Sequence, residues 1–224
     1  SMPKSVHVSG TLDGLREALE ERIQRAGALI VDQVEKADVT IQIDGQENCD
    51  IAIVPHGSRF SNSGIVIELS DVIIPHGGRK WGNGIITDWI EQIMSGKQPA
   101  LESNARFWVN VRDVVDAISE ICLNEKEKIP DGNYRMCGRR SWEMGDVADE
   151  IRVLWERYSN AINHSHTVES LSEVPSPVRG IHSEIAERPD LSNLHEALIK
   201  SGGEGWHPLV PMRVSLMEMI ASAK

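Results

Sequence analysis

The chain has 224 residues, enough for one large domain or a domain with a smaller lobe. Its formal net charge of −11 excludes nucleic-acid binding by bulk electrostatics, yet allows an anionic ligand held by a local arginine or a helix N-terminus. No apolar run approaches the roughly 18 residues needed to cross a bilayer, the start carries no apolar signal region, and three separated cysteines (Cys49, Cys122, Cys137) fit a reduced, cytoplasmic protein.

In chain order, Val6 to Gly10 is a short β-rich run ending in a Ser-Gly turn. Leu12, Leu15, Leu19, Ile23 and Ala26 then recur at helical spacing up to Gly27, a C-cap residue. Ala28 to Val31 predicts a second strand ending at Asp32, and the alternation of Ala37 to Ile43 a third. Cys49 to Val54 and Ile65 to Ile74 read as two further strands, each followed by Pro-His-Gly. Ile85, Ile86, Trp89, Ile90, Ile93 and Met94 mark an amphipathic helix closed by Ser95-Gly96. Phe107 to Val111 predicts a β-segment running into a helix with Val114, Val115, Ile118, Ile121 and Cys122 on its buried face. Asn110 and Asp113 cap and position that helix.

Asp131 to Cys137 reads as a turn into a strand, and Ser141 as the cap of a long helix from Met144 to Tyr158. Residues 160–189 are polar and broken by prolines, which predicts a loop in which His164 and His166 are solvated. A short helix from Asp190 or Ser192 stops at Gly202-Gly203, and an apolar helix from Val214 to Ile220 closes the chain. One strand–helix–strand unit followed by apolar strands predicts an α/β protein with a mostly parallel sheet.

Several segments carry a resemblance. These are Asn104-Ala-Arg106-Phe-Trp-Val-Asn110-Val-Arg-Asp113, the Ile65–Ile74 strand, Asp131-Gly-Asn-Tyr134 with Gly138 and Ser141, and Asp190-Leu-Ser-Asn-Leu194 followed by Gly205-Trp206-His-Pro208. Together, in this order, the chain resembles the substrate side of extended short-chain dehydrogenase/reductases, the sugar-nucleotide epimerases and dehydratases. The resemblance implies a reduced Rossmann-like sheet with a smaller C-terminal substrate lobe. The nucleotide-binding part would lie in residues 1–84 and mainly substrate-lobe elements in 85–224. It implies NAD or NADP at Gly10 and Gly14, with Asp32 on the adenosine ribose. The loop Ser9-Gly10-Thr11-Leu12-Asp13-Gly14 departs from the family spacing, and Asp13 would set a carboxylate against an anion.

The family's acid–base pair, Tyr-x-x-x-Lys, has no counterpart: four positions after Tyr134 and Tyr158 stand Gly138 and Ile162. Hydride chemistry in the family needs that phenol to move the proton while nicotinamide takes the hydride. Two readings therefore stay open. One is an epimerase/dehydratase-like enzyme of reshaped mechanism that binds a nucleotide or sugar nucleotide. The other is a non-catalytic binding or partner protein of a sugar-nucleotide pathway. On the substrate side, Arg106 and Arg188 are candidate phosphate ligands through bidentate guanidinium bonds. Arg79 and Trp81, in the glycine-rich loop His76 to Gly84, would form an anion-binding lid with an indole stacked on a base or sugar. His56 and His76 follow prolines at strand ends and are candidate acid–base groups. Histidine and cysteine spacing gives no metal site, and no Gly-x-Ser-x-Gly elbow is present. Family dimers commonly use the helix that carries the Tyr-Lys pair, so a homodimer would need another surface, with Trp89 or Trp155 exposed on it.

Overall fold

The computed structural model describes residues 2–62, 64–77, 79–101, 104–162 and 187–223. Six strands form the main sheet: β1 (Ser5–Gly10), β2 (Leu29–Ile30), β3 (Val39–Ile43), β4 (Ile51–Pro55), β5 (Ile65–Leu69) and β8 (Gly132–Met136). Their order is β2-β1-β3-β4-β5-β8, every neighbouring pair parallel. This bears out the Rossmann-like α/β expectation. The chain leaves β1 for β2 on one side and returns to lay β3 on the other. The topological switch point of the sheet is therefore the β1/β3 boundary.

Helix α1 (Gly14–Arg25) forms because Leu15, Leu19 and Ile23 recur on one face and Asp13 caps its first turn, accepting from the Arg16 amide at 3.0 Å. It packs on the sheet beside α3 (Val111–Cys122) and α5 (Ser192–Lys200), over Val6, Val8, Ile41, Ile53, Ile67 and Met136. Asn110 caps α3 as expected, its side-chain oxygen taking the Arg112 amide at 2.9 Å. The opposite face of the sheet has no helix on it among the described residues. β3 joins β4 through residues 44–50 and β4 joins β5 through residues 56–64, both shorter than the dozen or more residues of an ordinary parallel crossover. A small apolar group, Ala52, Val54 and Val66, is covered there by Cys49 and Phe60.

The expected single strand over Ile65–Ile74 is two. Asp71 sits at φ 57°, which breaks the run and turns β6 (Val72–Ile73) away to pair with β7 (Val109–Asn110). Around this second, two-stranded sheet α2 (Asn83–Met94), α4 (Met144–Ile162) and α6 (Met212–Ser222) build a second core with Ile73 and Trp108. Residues after position 84 thus divide between two cores, α3 and α5 on the sheet and α2, α4 and α6 on the β6–β7 pair. Ser141 does not cap α4, which begins three residues later. The neighbouring Trp142 is held instead in a bridge to Arg106, with N–H to oxygen distances of 2.8 and 3.0 Å. Trp89 is 3% exposed and Trp155 half-buried against the second core, so neither indole is the exposed dimer contact expected. No described helix is long and apolar enough to cross a membrane. The polar segment with His164 and His166 falls almost wholly outside the described residues.

Candidate functional site

The C-terminal ends of the strands converge at the switch point, where open α/β sheets place ligands. Gly10 ends β1 at φ 95°, and a Cβ there would stand 2.1 Å from the Ile43 carbonyl oxygen, so no larger residue fits so close to β3. Gly14 opens α1 pressed against the following loop, 2.8 Å from Ile74 at the position a Cβ would take. Side chains converge at these strand ends. The Arg16 guanidinium donates to the Gly10 and Val8 carbonyls, each at 3.1 Å. The Asp13 carboxylate takes the Arg16 amide of α1 and the Trp81 indole N–H, each at 3.0 Å. Trp81 is buried at 4% exposure, with φ 68°, so it closes the crevice and is not presented on an open lid. Lys80 pairs with Asp44 at the end of β3 and draws the loop down over the β1/β3 edge. Asp32 stands exposed beyond β2. The helix N-terminus thus holds a carboxylate, and an indole and a guanidinium lie at the strand ends.

The other predicted residues are dispersed. Arg79 is exposed and paired with Asp88 on α2. His56 is exposed at the end of β4, its Nδ1 4.0 Å from the Glu68 carboxylate. His76 is exposed after β6 in a left-handed turn. No group of three metal-ligating side chains occurs among the described residues. Arg106 donates to Asp71 at 3.1 Å, and the same buried carboxylate takes the Phe107 amide at 2.9 Å.

The open, basic space lies at the far edge of the sheet, beyond β8. A cavity of 380 Å³ is lined by Arg139 and Arg188, the first turn of α5 (Leu191, Ser192, His195, Glu196), Phe107 and Trp206. Arg188 thus shares a cavity with Arg139, a residue the sequence reading missed. One Arg139 nitrogen donates to the Trp206 carbonyl at 2.9 Å and lies 3.3 Å from His207 Nδ1. No side chain caps the α5 N-terminus at Leu191; Asp190, just outside, accepts from the Ser192 hydroxyl and amide, which holds its carboxyl below the usual range. Two arginines and one opposing carboxylate, Glu196, line the cavity at the helix N-terminus, the combination of groups that suits an anion. A second cavity of 580 Å³ adjoins it and shares Gly138 and Arg139. Cys137, at the end of β8, is not nucleophilic: burial pushes its thiol up to about 11.

No protein-family model matches the chain, and no curated protein matches it by sequence. Solved structures match it in fold. One is the Bordetella bronchiseptica enzyme WbmF in complex with NAD+ and UDP, at TM-score 0.61 and 11% identity, covering 98% of this chain and 92% of that one. Another is RMD from Pseudomonas aeruginosa complexed with NADPH, at TM-score 0.56 and 12% identity, covering 99% and 98%. A third is the UDP-glucose 4-epimerase of Thermus thermophilus in complex with NAD, at TM-score 0.54 and 12% identity, covering 98% of both chains. At these identities the likeness establishes the shared Rossmann-like fold.

What the sequence reading missed around the candidate site is Asp71, Arg139 and the full role of Asp113. Asp113 is buried and accepts the Leu209 and Val210 amides at 2.9 and 3.0 Å, tying the segment before α6 to α3. Asp71 carried a signal, an acid inside an otherwise apolar run. So did Arg139-Arg140, a basic pair directly after the glycine that ends a predicted strand.

Proposed function

We propose that this chain binds a nucleoside diphosphate, or its sugar conjugate, in the Arg139–Arg188 cavity, and does not perform the hydride chemistry of the dehydrogenases it resembles. The observation that carries this reading is a contrast between two places in one fold. The switch-point crevice is closed by Trp81, Asp13 and Arg16, while the cavity beyond β8 is open and lined by two arginines. The lack of a Tyr-x-x-x-Lys pair supports the non-catalytic part. The UDP bound in the WbmF complex supports a nucleoside diphosphate as ligand class. In this reading Arg139 and Arg188 take the phosphates, and Arg106 acts as a positioning residue that fixes Asp71 and the Phe107 wall.

A thermal-shift panel tests this, with UDP, GDP, dTDP and their sugar conjugates set against NAD(H) and NADP(H). A ligand that binds the folded state at a hundredfold excess over Kd adds about 2.7 kcal/mol, roughly a 5–10 °C rise for a chain of this size. Nucleoside diphosphates should raise the melting temperature, and Arg188→Ala should reduce the rise. A rise with dinucleotides alone, or with nothing in the panel, would refute the proposal.

A further inference from the structure

Two imidazoles stand where the cavities adjoin. His195, on α5, lines the 380 Å³ cavity, and His207, on the segment before α6, lines the 580 Å³ cavity. Their rings meet edge to face with centroids 5.3 Å apart. Trp206 links His195 to Arg139, the arginine common to both cavities. The Trp206 amide donates to His195 Nδ1 at 3.0 Å, its carbonyl accepts from Arg139 at 2.9 Å, and its indole N–H donates to the Cys137 carbonyl at 2.9 Å. Gly205 lets this turn lie against the imidazole: its φ is 95°, and a Cβ there would stand 2.2 Å from His195 Cε1.

These donors fix the hydrogens on the rings. A backbone amide and a guanidinium donate and never accept. Each Nδ1 is therefore an acceptor, and each neutral ring carries its hydrogen on Nε2. The two donors differ in freedom. The Trp206 amide belongs to a residue that is 3% exposed and held at both its carbonyl and its indole, so His195 keeps its partner. The donor to His207 is a side chain that lines both cavities, and His207 itself is exposed. An anion that draws the Arg139 guanidinium leaves His207 Nδ1 free to take a proton from water, and the charged ring is a second cationic donor beside the anion. The surrounding charges permit this. Across the larger cavity Arg213 is neutralised by Glu150 at 2.6 Å, which sets Asp146 against Arg140. On the α3 side Asp113 is turned onto the Leu209 and Val210 amides, and on the α5 side Glu196 opposes Arg188.

We propose that this pair couples anion binding to proton uptake: His195 is a positioning residue that holds the Trp206 turn, and His207 takes one proton onto Nδ1 as Arg139 exchanges it for the ligand. The proposal rests on the nucleotide reading above. The bound state then holds more protons than the free one, so affinity rises as pH falls through roughly 8 to 6, where imidazole charges, and the gain is absent above that range. Isothermal titration of the full chain with UDP, GDP and dTDP, at pH 6, 7 and 8 in buffers of low and high ionisation enthalpy, counts the protons. The terminal phosphate of each nucleotide itself titrates near about pH 6, an effect common to every variant, so the difference between parent and variant is read. His207→Asn keeps an acceptor near the Nδ1 position and cannot be charged. At pH 7 it should take up about half a proton fewer than the parent, and the ratio of its affinities at pH 6 and pH 8 should fall about fivefold below the parent's ratio. His195→Ala should weaken binding by one common factor at every pH, and His195→Asn, which restores an acceptor for the Trp206 amide, should recover it. Equal proton counts for the parent and His207→Asn, with nucleotide binding intact, would overturn the proton coupling alone, as would a His195→Ala loss confined to one pH. Absence of binding by all three nucleotides at every pH would overturn the nucleotide reading and this proposal together.

Discussion

Arg106→Ala tests whether this guanidinium acts through Asp71. The Asp71 side chain is 8% exposed and accepts from the Arg106 guanidinium and the Phe107 amide. Removing one partner of a buried ion pair typically costs about 3–5 kcal/mol, because a charge is left in low dielectric. Arg106 itself is 33% exposed, so water reaches the vacated side and the expected loss falls to roughly 2–3 kcal/mol. Asp71→Asn keeps a residue that tolerates the left-handed backbone and removes only the charge; its loss should be about 1.5–3 kcal/mol. Because the two groups share one interaction, the double variant should fall short of the sum by about 1–2 kcal/mol. Urea unfolding followed by tryptophan fluorescence gives all three values. Additive losses, or an Arg106→Ala loss under about 0.5 kcal/mol, would refute the reasoning. The UDP affinity of folded Arg106→Ala should fall, but by less than that of Arg188→Ala, because Arg106 lines neither cavity and acts only through Asp71 and the Phe107 wall.

Trp81→Ala should cost about 3–5 kcal/mol for the emptied indole site, and Trp81→Gly about 1 kcal/mol less than that, because only the alanine variant keeps a Cβ at φ 68°; equal melting temperatures for the two would count against the left-handed backbone there. Gly10→Ala should destabilise by about 3 kcal/mol through combined overpacking and strain, read as lost soluble yield and a lowered melting temperature. Burial pushes the Cys122 thiol up to about 12 and Cys137 to about 11, from an ordinary value of 9.0. The fold therefore favours the neutral thiols, a contribution present below about pH 9 and lost as pH rises through 11 to 12. At pH 8 in native buffer Ellman's reagent should label half-buried Cys49 first and the other two only after unfolding; rapid native labelling of Cys137 would contradict its placement.

Much of the sheet was legible because its inward residues alternate cleanly, as in Val39, Ile41 and Ile43, and α1 because Leu15, Leu19 and Ile23 hold a helical period. The break at Asp71 was not. The left-handed backbone there is imposed by the carboxylate's bonds to Phe107 and Arg106, 35 and more positions away, which no local pattern reports. The site divides in the same way. Arg188 was readable from its place before the α5 helix, while Arg139 becomes a ligand candidate only when the chain brings the end of β8 against it. In the sequence Trp81 read as a lid indole in a glycine-rich loop, stacked on a base or sugar. Its indole N–H finds an acceptor in Asp13, 68 positions earlier, and that single bond turns a lid residue into a plug.

The direct connections between β3, β4 and β5 have a kinetic consequence. Parallel pairing is ordinarily slow, because a long crossover must close before any strand contact rewards it. Here three adjacent central strands lie within Val39–Leu69, joined through residues 44–50 and 56–64, so their closure entropy is small. This stretch is the segment of the sheet that can pair first. β8 reaches β5 only after α2 and α3 have been laid down, and β2 adds two residues at the far edge. In pulse-labelled hydrogen exchange during refolding, the amides of Ile41, Ile53 and Ile67 should gain protection before those of β8.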